Sequence, residues 1–172
     1  MSWLTVVLRF LHIFSGVFWI GSLFTVSAFV MPTAAASGPD GMRFMRRLAL
    51  ERGLTRAMVI TGTVTVLAGV WLVWIDSNGF LPAWFGGPMG IVISIGALAG
   101  IGALVVGIRS AMLVSKLDRL MSAIESAGGP PGATQMAQAQ ALGARLKASA
   151  RAGAIQGAIA VLCMAIARYV VF

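Results

Sequence analysis

Four long runs of apolar residues limit what this chain can fold into. They cover about residues 4–31, 57–75, 89–108 and 152–172, and charged side chains are nearly confined to the segments between them. A helix needs roughly 20 apolar residues to cross the hydrocarbon core of a bilayer. Only 10% of the residues are charged, against about 25% in an ordinary soluble domain. We therefore predict one all-α domain over residues 1–172, an integral membrane four-helix bundle with cytoplasmic helical extensions.

Sequence signals near the ends of the runs support their assignment as membrane spans. Trp71 and Trp74 close the second run, and tryptophan favours the headgroup level of a membrane. Pro88 precedes the third run, at the first turn of the predicted helix, where proline is tolerated. The first run is longer than the roughly 7–15 apolar residues of a signal peptide. We expect it to be retained, although residues 34–36 resemble a cleavage site.

The basic residues are sorted between the loops. The chain has 13 Lys and Arg against 5 Asp and Glu, and the connections 32–56 and 109–151 hold all the basic residues except Arg9 and Arg168. Because cytoplasmic loops retain Lys and Arg, we predict a multi-pass protein of the inner (plasma) membrane with both termini on the non-cytoplasmic side. Basic loops attracted to anionic lipid account for the net charge of +8. No nucleic-acid partner is expected.

The first basic connection contains an amphipathic segment, residues 42–56. Met42, Met45 and Leu48 recur at positions i, i+3 and i+6, with arginines between them. This spacing is typical of a helix that lies along a membrane surface. We predict that it rests on the inner leaflet.

The second basic connection, residues 109–151, is predicted to form a helical hairpin. The third span continues past Arg109 with apolar residues on one face, and a further helix is predicted from Thr134 to Arg151. Between them the sequence GGPPG, residues 128–132, breaks any helix. The apolar stripe either packs within the hairpin or on the 42–56 helix, or it forms a docking surface for another protein.

Small residues recur at helical spacing in the spans. Gly96 and Gly100 lie four apart in the third run, and Gly153 and Gly157 lie four apart in the fourth. Such faces let helix backbones approach closely in lipid, so tight internal packing is predicted. Gln156 is expected to form a hydrogen bond across helices, and Cys163 is expected to be a small buried apolar residue.

His12 is the single histidine of the chain and lies within the first run. An ionisable side chain inside a span is a functional candidate. A neutral imidazole there would ligate the iron of haem b, the magnesium of a chlorophyll-type pigment, or copper. The alternative is a structural histidine bonded to a hydroxyl or carbonyl of a neighbouring helix. By helical spacing, one interior-facing side holds His12, Ser15, Gly16, Trp19, Ser22 and Thr25.

Three further charged residues are placed near His12 by the predicted topology. Arg9, Asp76 and Arg168 all lie toward the outer ends of their spans. We predict that they form an ion cluster that ties the helix ends together. The alternative is that Arg9 and Arg168 bind a propionate or a lipid phosphate beside a macrocycle ligated by His12.

One passage has a familiar pattern. Residues 8–32 read LRFLHIFSGVFWIGSLFTVSAFVMP, with Leu11-His12 followed by Val17, Trp19, Gly21 and Pro32. This resembles the first helix of small bacterial membrane proteins related to copper resistance protein D. It is also similar to the first helix of the bacterial membrane protoporphyrinogen oxidase, in which a corresponding histidine is associated with haem b.

The resemblance implies that His12 is a haem or metal ligand. The resemblance assigns a role to His12 alone, because the aromatic-Leu-Pro-Arg segment that follows the oxidase helix is absent here. The chain has one histidine, so a bis-histidine site would need a symmetric dimer. Met164 is the other candidate for a sixth ligand.

The sequence contains no Ser-His-Asp set, HExxH, CxxC or phosphate-binding glycine loop, so no enzyme is expected. The leading hypothesis is a non-enzymatic accessory or structural subunit of a larger respiratory or photosynthetic membrane complex. Its partners would be the lipid bilayer and other membrane subunits. One alternative is a haem- or copper-binding membrane protein that uses His12. Another is a small transporter, which needs a polar path through the bundle.

Overall fold

The computed structural model describes residues 2–170, and helices account for nearly all of them. Four helical segments are long and apolar enough to cross a membrane, as predicted from the four apolar runs. The all-α fold is thereby confirmed, and the chain is a multi-pass membrane protein. The four segments are Trp3–Ala36, Leu54–Asp76, Pro88–Ser126 and Ala133–Tyr169.

The first span is longer than predicted. Helix α1 (Trp3–Thr25) passes through a π-helical turn, Val26–Val30, into helix α2 (Met31–Ala36). In this turn the Met31 N–H donates to the carbonyl of Val26. The turn lies next to Pro32, which lacks the N–H that would continue the regular ladder. The helix thus continues past residue 31, the predicted end of the span, and ends at Ala36.

The amphipathic segment begins earlier than the predicted residue 42. Helix α3 (Gly38–Arg46) and a second π-helical turn (Arg47–Glu51) form it. Gly38 has a φ of +59°, which allows the sharp turn after α2, and Pro39 suits the first helical turn. Gly53, with a φ of +70°, separates this segment from helix α4 (Leu54–Asp76).

The remaining spans continue well beyond the membrane. After the short helix α5 (Pro82–Gly86), helix α6 runs unbroken from Pro88 to Ser126 and helix α7 from Ala133 to Ile166. At 1.5 Å per residue they are about 58 Å and 51 Å long, against about 30 Å of hydrocarbon. The predicted fourth run ends in a short 3-10 turn, Ala167–Tyr169, and its last residues, 171–172, lie outside the described range.

The helices pack as two pairs. Helix α1 lies mainly on α4, and α6 lies mainly on α7, while contacts between α4 and α6 join the pairs. A small core of Trp19, Ile20 and Ala103 lies at this junction. The hairpin, residues 109–151, is called the arm below, and its two helices pack on each other.

Candidate functional site

His12 lies in the seam between α1 and α4. Its Nδ1 is 2.8 Å from the backbone carbonyl oxygen of Thr65, so the Nδ1–H donates and the ring is held in one tautomer. The ring packs on Gly69, where an added Cβ would come within 2.8 Å of the imidazole Cε1. Glycine at position 69 is therefore what lets the imidazole lie against α4.

A pair of hydroxyls continues the seam below His12. Ser15 Oγ and Thr65 Oγ1 are 2.8 Å apart, and both residues are buried. Each hydroxyl is also within hydrogen-bond distance of the carbonyl one turn earlier on its own helix, that of Leu11 or Thr61. The hydroxyls of Ser15 and Thr65 and the Nδ1 of His12 are satisfied inside the bundle, and two of these bonds join α1 to α4.

The predicted interior face of α1 is largely confirmed. Ser15 and Trp19 are buried, His12, Gly16 and Ser22 are half-buried, and Thr25 is exposed where the π-helical turn begins. Trp19 packs on Gly62 of α4, where an added Cβ would come within 2.8 Å of the indole ring.

The bond to Thr65 serves either of the two roles considered for His12. A structural histidine is satisfied by a carbonyl of the neighbouring helix. A metal-ligating histidine also donates one ring N–H to a carbonyl, which leaves Nε2 as the ligand atom. Residues 2–170 contain no group of three or more His, Cys, Asp and Glu side chains that could hold a metal ion. The role of His12 stays a prediction.

Arg9, Asp76 and Arg168 are all exposed. The guanidinium of Arg168 lies 5.1 Å from the ring centroid of Tyr169, a cation–π contact. The ion pairs found among residues 2–170 involve none of these three side chains. The predicted cluster therefore remains a prediction.

The ion pairs lie instead at the end of the bundle that carries the arm. Arg46 of α3 donates from Nε to Asp118 Oδ1 at 2.7 Å, from Nη1 to Glu125 Oε2 at 3.3 Å, and from Nη2 to Ser122 Oγ at 3.1 Å. Hydrogen bonding to Asp118 raises the pKa of Arg46, and the charges of Asp118 and Glu125 raise it further. This Arg46 clasp fastens the amphipathic segment to the arm.

The Arg46 clasp was not predicted from the sequence. Asp118, Ser122 and Glu125 are spaced at i, i+4 and i+7, so they share one face of a helix. That spacing was the available signal. The partner arginine lies 72 residues before Asp118, and spacing along one helix says nothing about so distant a contact.

Two apolar cavities lie beneath the amphipathic segment. The outer one, of about 340 Å³, is lined by residues of α2, α3, α6 and α7, and the inner one, of about 160 Å³, extends between the spans to Trp19. They are adjacent, because both are lined by Met31, Met45, Ala49, Val114 and Leu146. A transporter path needs polar lining, whereas these walls are mostly apolar.

Comparison of the chain with protein-family models, with curated proteins and with solved structures finds no match.

Proposed function

We propose that this protein is a non-enzymatic accessory subunit of a larger membrane complex. The observation that carries the proposal is the continuity of α6 and α7, which run without a break from the spans into the arm. Residues 109–126 extend for about 27 Å at 1.5 Å per residue. An arm joined rigidly to a membrane bundle is suited to holding other subunits at the membrane.

Two features of the arm support this role. The Arg46 clasp joins it to the amphipathic segment. Its outer surface carries exposed basic side chains, which favour an acidic partner surface. These are Lys116, Arg119, Arg145 and Lys147.

The test is purification of the tagged full-length chain from its native membranes in a mild detergent. We expect defined subunits to co-purify in fixed stoichiometry. The double variant Arg119→Gln/Lys147→Gln should lower their recovery at least fivefold, because it removes two exposed charges of the arm. Arg52→Gln, at an exposed position outside the arm, is the matched control and should leave recovery unchanged. A lone monomer in the wild-type preparation would overturn the proposal.

A second candidate function is binding of a haem or another metal cofactor at His12. The bond between His12 Nδ1 and the Thr65 carbonyl favours it, since that bond leaves Nε2 free to coordinate. We expect a Soret absorption band in the protein purified from native membranes, and its loss in His12→Ala. Ser22→Ala, a half-buried change on the same helix, should keep the band. Absence of both the band and bound metal from the wild type would refute this candidate.

The proposed location is the inner membrane of a bacterium, with both termini and the α4–α5 turn outside and the arm in the cytoplasm. In a Cys163→Ala background, a cysteine placed at Asn78 should react with a membrane-impermeant maleimide in intact cells. A cysteine at Ser126 should react only after the membrane is opened. Both positions are exposed in the structure. The reverse labelling pattern would overturn the charge argument on which the orientation depends.

A further inference from the structure

The two adjacent cavities, which share five wall residues at the arm end of the bundle, are together called the cleft. Its deep end is Trp19, a residue only 4% exposed, and its mouth is flanked by Arg43, Arg46, Asp118 and Glu125. The outer part is partly open to the surroundings. A molecule at the mouth would thus lie beside apolar walls that lead toward the centre of the membrane.

The apolar side chains that line the cleft indicate which kind of molecule it binds. One water needs only roughly 10–15 Å³ of cavity volume and two to four polar partners, so a cleft of this size and lining is unsuited to water. Methionine side chains line much of it, and their flexible thioethers adapt to irregular apolar ligands. Those methionines are Met31, Met42, Met45, Met58 and Met121. An alkyl chain fits such walls.

The arginine at the mouth of the cleft favours a ligand with a negatively charged group. Arg46 is occupied by Asp118 and Glu125, whereas Arg43 pairs, among residues 2–170, only with Asp40, three residues earlier on the same helix. The side chain of Arg43 is 73% exposed, and an ion pair so exposed contributes little. The guanidinium of Arg43 is therefore available to an anionic group at the mouth, and arginine suits the geometry of a phosphate.

We propose that the cleft binds a phospholipid from the leaflet at the arm end of the bundle. One acyl chain enters past Ala49 toward Trp19, and the phosphate lies beside Arg43. Helix α3 and the π-helical turn after it cover the chain, and the Arg46 clasp keeps this cover in place. The site is independent of any cofactor at His12, which lies in the α1–α4 seam outside the cleft.

Trp19 reports directly on the occupant. In a variant whose other tryptophans are phenylalanine, fluorescence comes from Trp19 alone, which the packed helices shield from bulk detergent and lipid. Titration of this protein in detergent with phosphatidylglycerol carrying brominated acyl chains should quench Trp19 saturably. Ala49→Phe narrows the junction of the two cavities and should weaken the apparent affinity at least tenfold. Ala141→Phe, at an exposed position on α7, is the matched control and should bind normally.

The role of Arg43 separates a phospholipid from a single-chain acid. Arg43→Gln should weaken phosphatidylglycerol binding about fivefold, and Arg52→Gln, an exposed arginine that does not line the cleft, should not. A brominated fatty acid should quench Trp19 less effectively at equal concentration. Equal quenching by the fatty acid, or binding unaffected by Arg43→Gln, would overturn the phospholipid assignment.

A second measurement uses the wild-type sequence and needs no tryptophan replacement. Native mass spectrometry of the detergent-purified protein should show one retained phospholipid per chain. Ala49→Phe should lose it, and Ala141→Phe should keep it. Quenching that does not saturate, together with equal lipid retention in the two variants, would refute the site.

Discussion

Trp19→Ala should lower the stability of the folded bundle by about 2–4 kcal/mol, near or below the 3–5 kcal/mol of aromatic truncations in soluble cores. Trp19 is 4% exposed and lies where α1 meets Gly62 of α4. Apolar side chains gain little by leaving lipid for the protein interior, so the transfer contribution is small here. Most of the loss comes from the void left behind, which would enlarge the inner cavity that Trp19 already lines.

The matched control is Trp71→Ala. Trp71 is 52% exposed on the outer surface of α4, so its removal leaves no internal void and should cost less than about 1 kcal/mol. The measurement is reversible unfolding in mixed micelles with increasing dodecyl sulfate, followed by circular dichroism. Equal losses in the two variants would show that the packing of Trp19 on Gly62 does not hold α1 to α4.

The four spans and the interior face of α1 could be predicted from the sequence, because each follows from a regular pattern within one segment. A run of about 20 apolar residues is enough to identify a spanning helix. Helical periodicity was enough to place Ser15 and Trp19 on one interior face. Neither argument needs the identity of the neighbouring helix, and both predicted interior positions are buried in the structure.

Features that depend on contacts between segments far apart in the chain could not be predicted from the sequence. The hydrogen bonds of Arg46 join segments more than 70 residues apart, and the walls of the cleft come from helices that are far apart in the sequence. Gln156 was expected to bond across helices, but its Oε1 is buried without a hydrogen-bond partner among the described residues. The amide instead packs on Gly102, where an added Cβ would come within 2.8 Å of Nε2. A polar residue type indicates a need for a partner, and the fold decides whether one is in reach.

The second large expected effect is the loss of stability caused by Gly96→Ala, at the contact between α6 and α7. Gly96 is buried, and an added Cβ would come within 2.8 Å of Cys163 Cβ and 3.5 Å of the Ala160 carbonyl oxygen. A Cβ cannot move aside without its backbone, so the two helices must separate locally. We expect Gly96→Ala to be about 1–3 kcal/mol less stable than the control Gly100→Ala, which is the usual cost of overpacking. The mixed-micelle unfolding titration described for Trp19 measures it.

Gly100→Ala is the control one turn along the same helix. The atom nearest to an added Cβ there is Ala160 Cβ, at an ordinary contact distance of 4.0 Å. Both variants gain the same helix propensity, about 1 kcal/mol in favour of Ala. The difference between their free energies of unfolding therefore measures the effect of the close contact between position 96 and α7. The double variant Gly96→Ala/Cys163→Gly should be less destabilised than the sum of its single variants by about 1 kcal/mol, because Cys163→Gly removes the atom that clashes. Additive losses would place the strain of Gly96→Ala elsewhere than at Cys163.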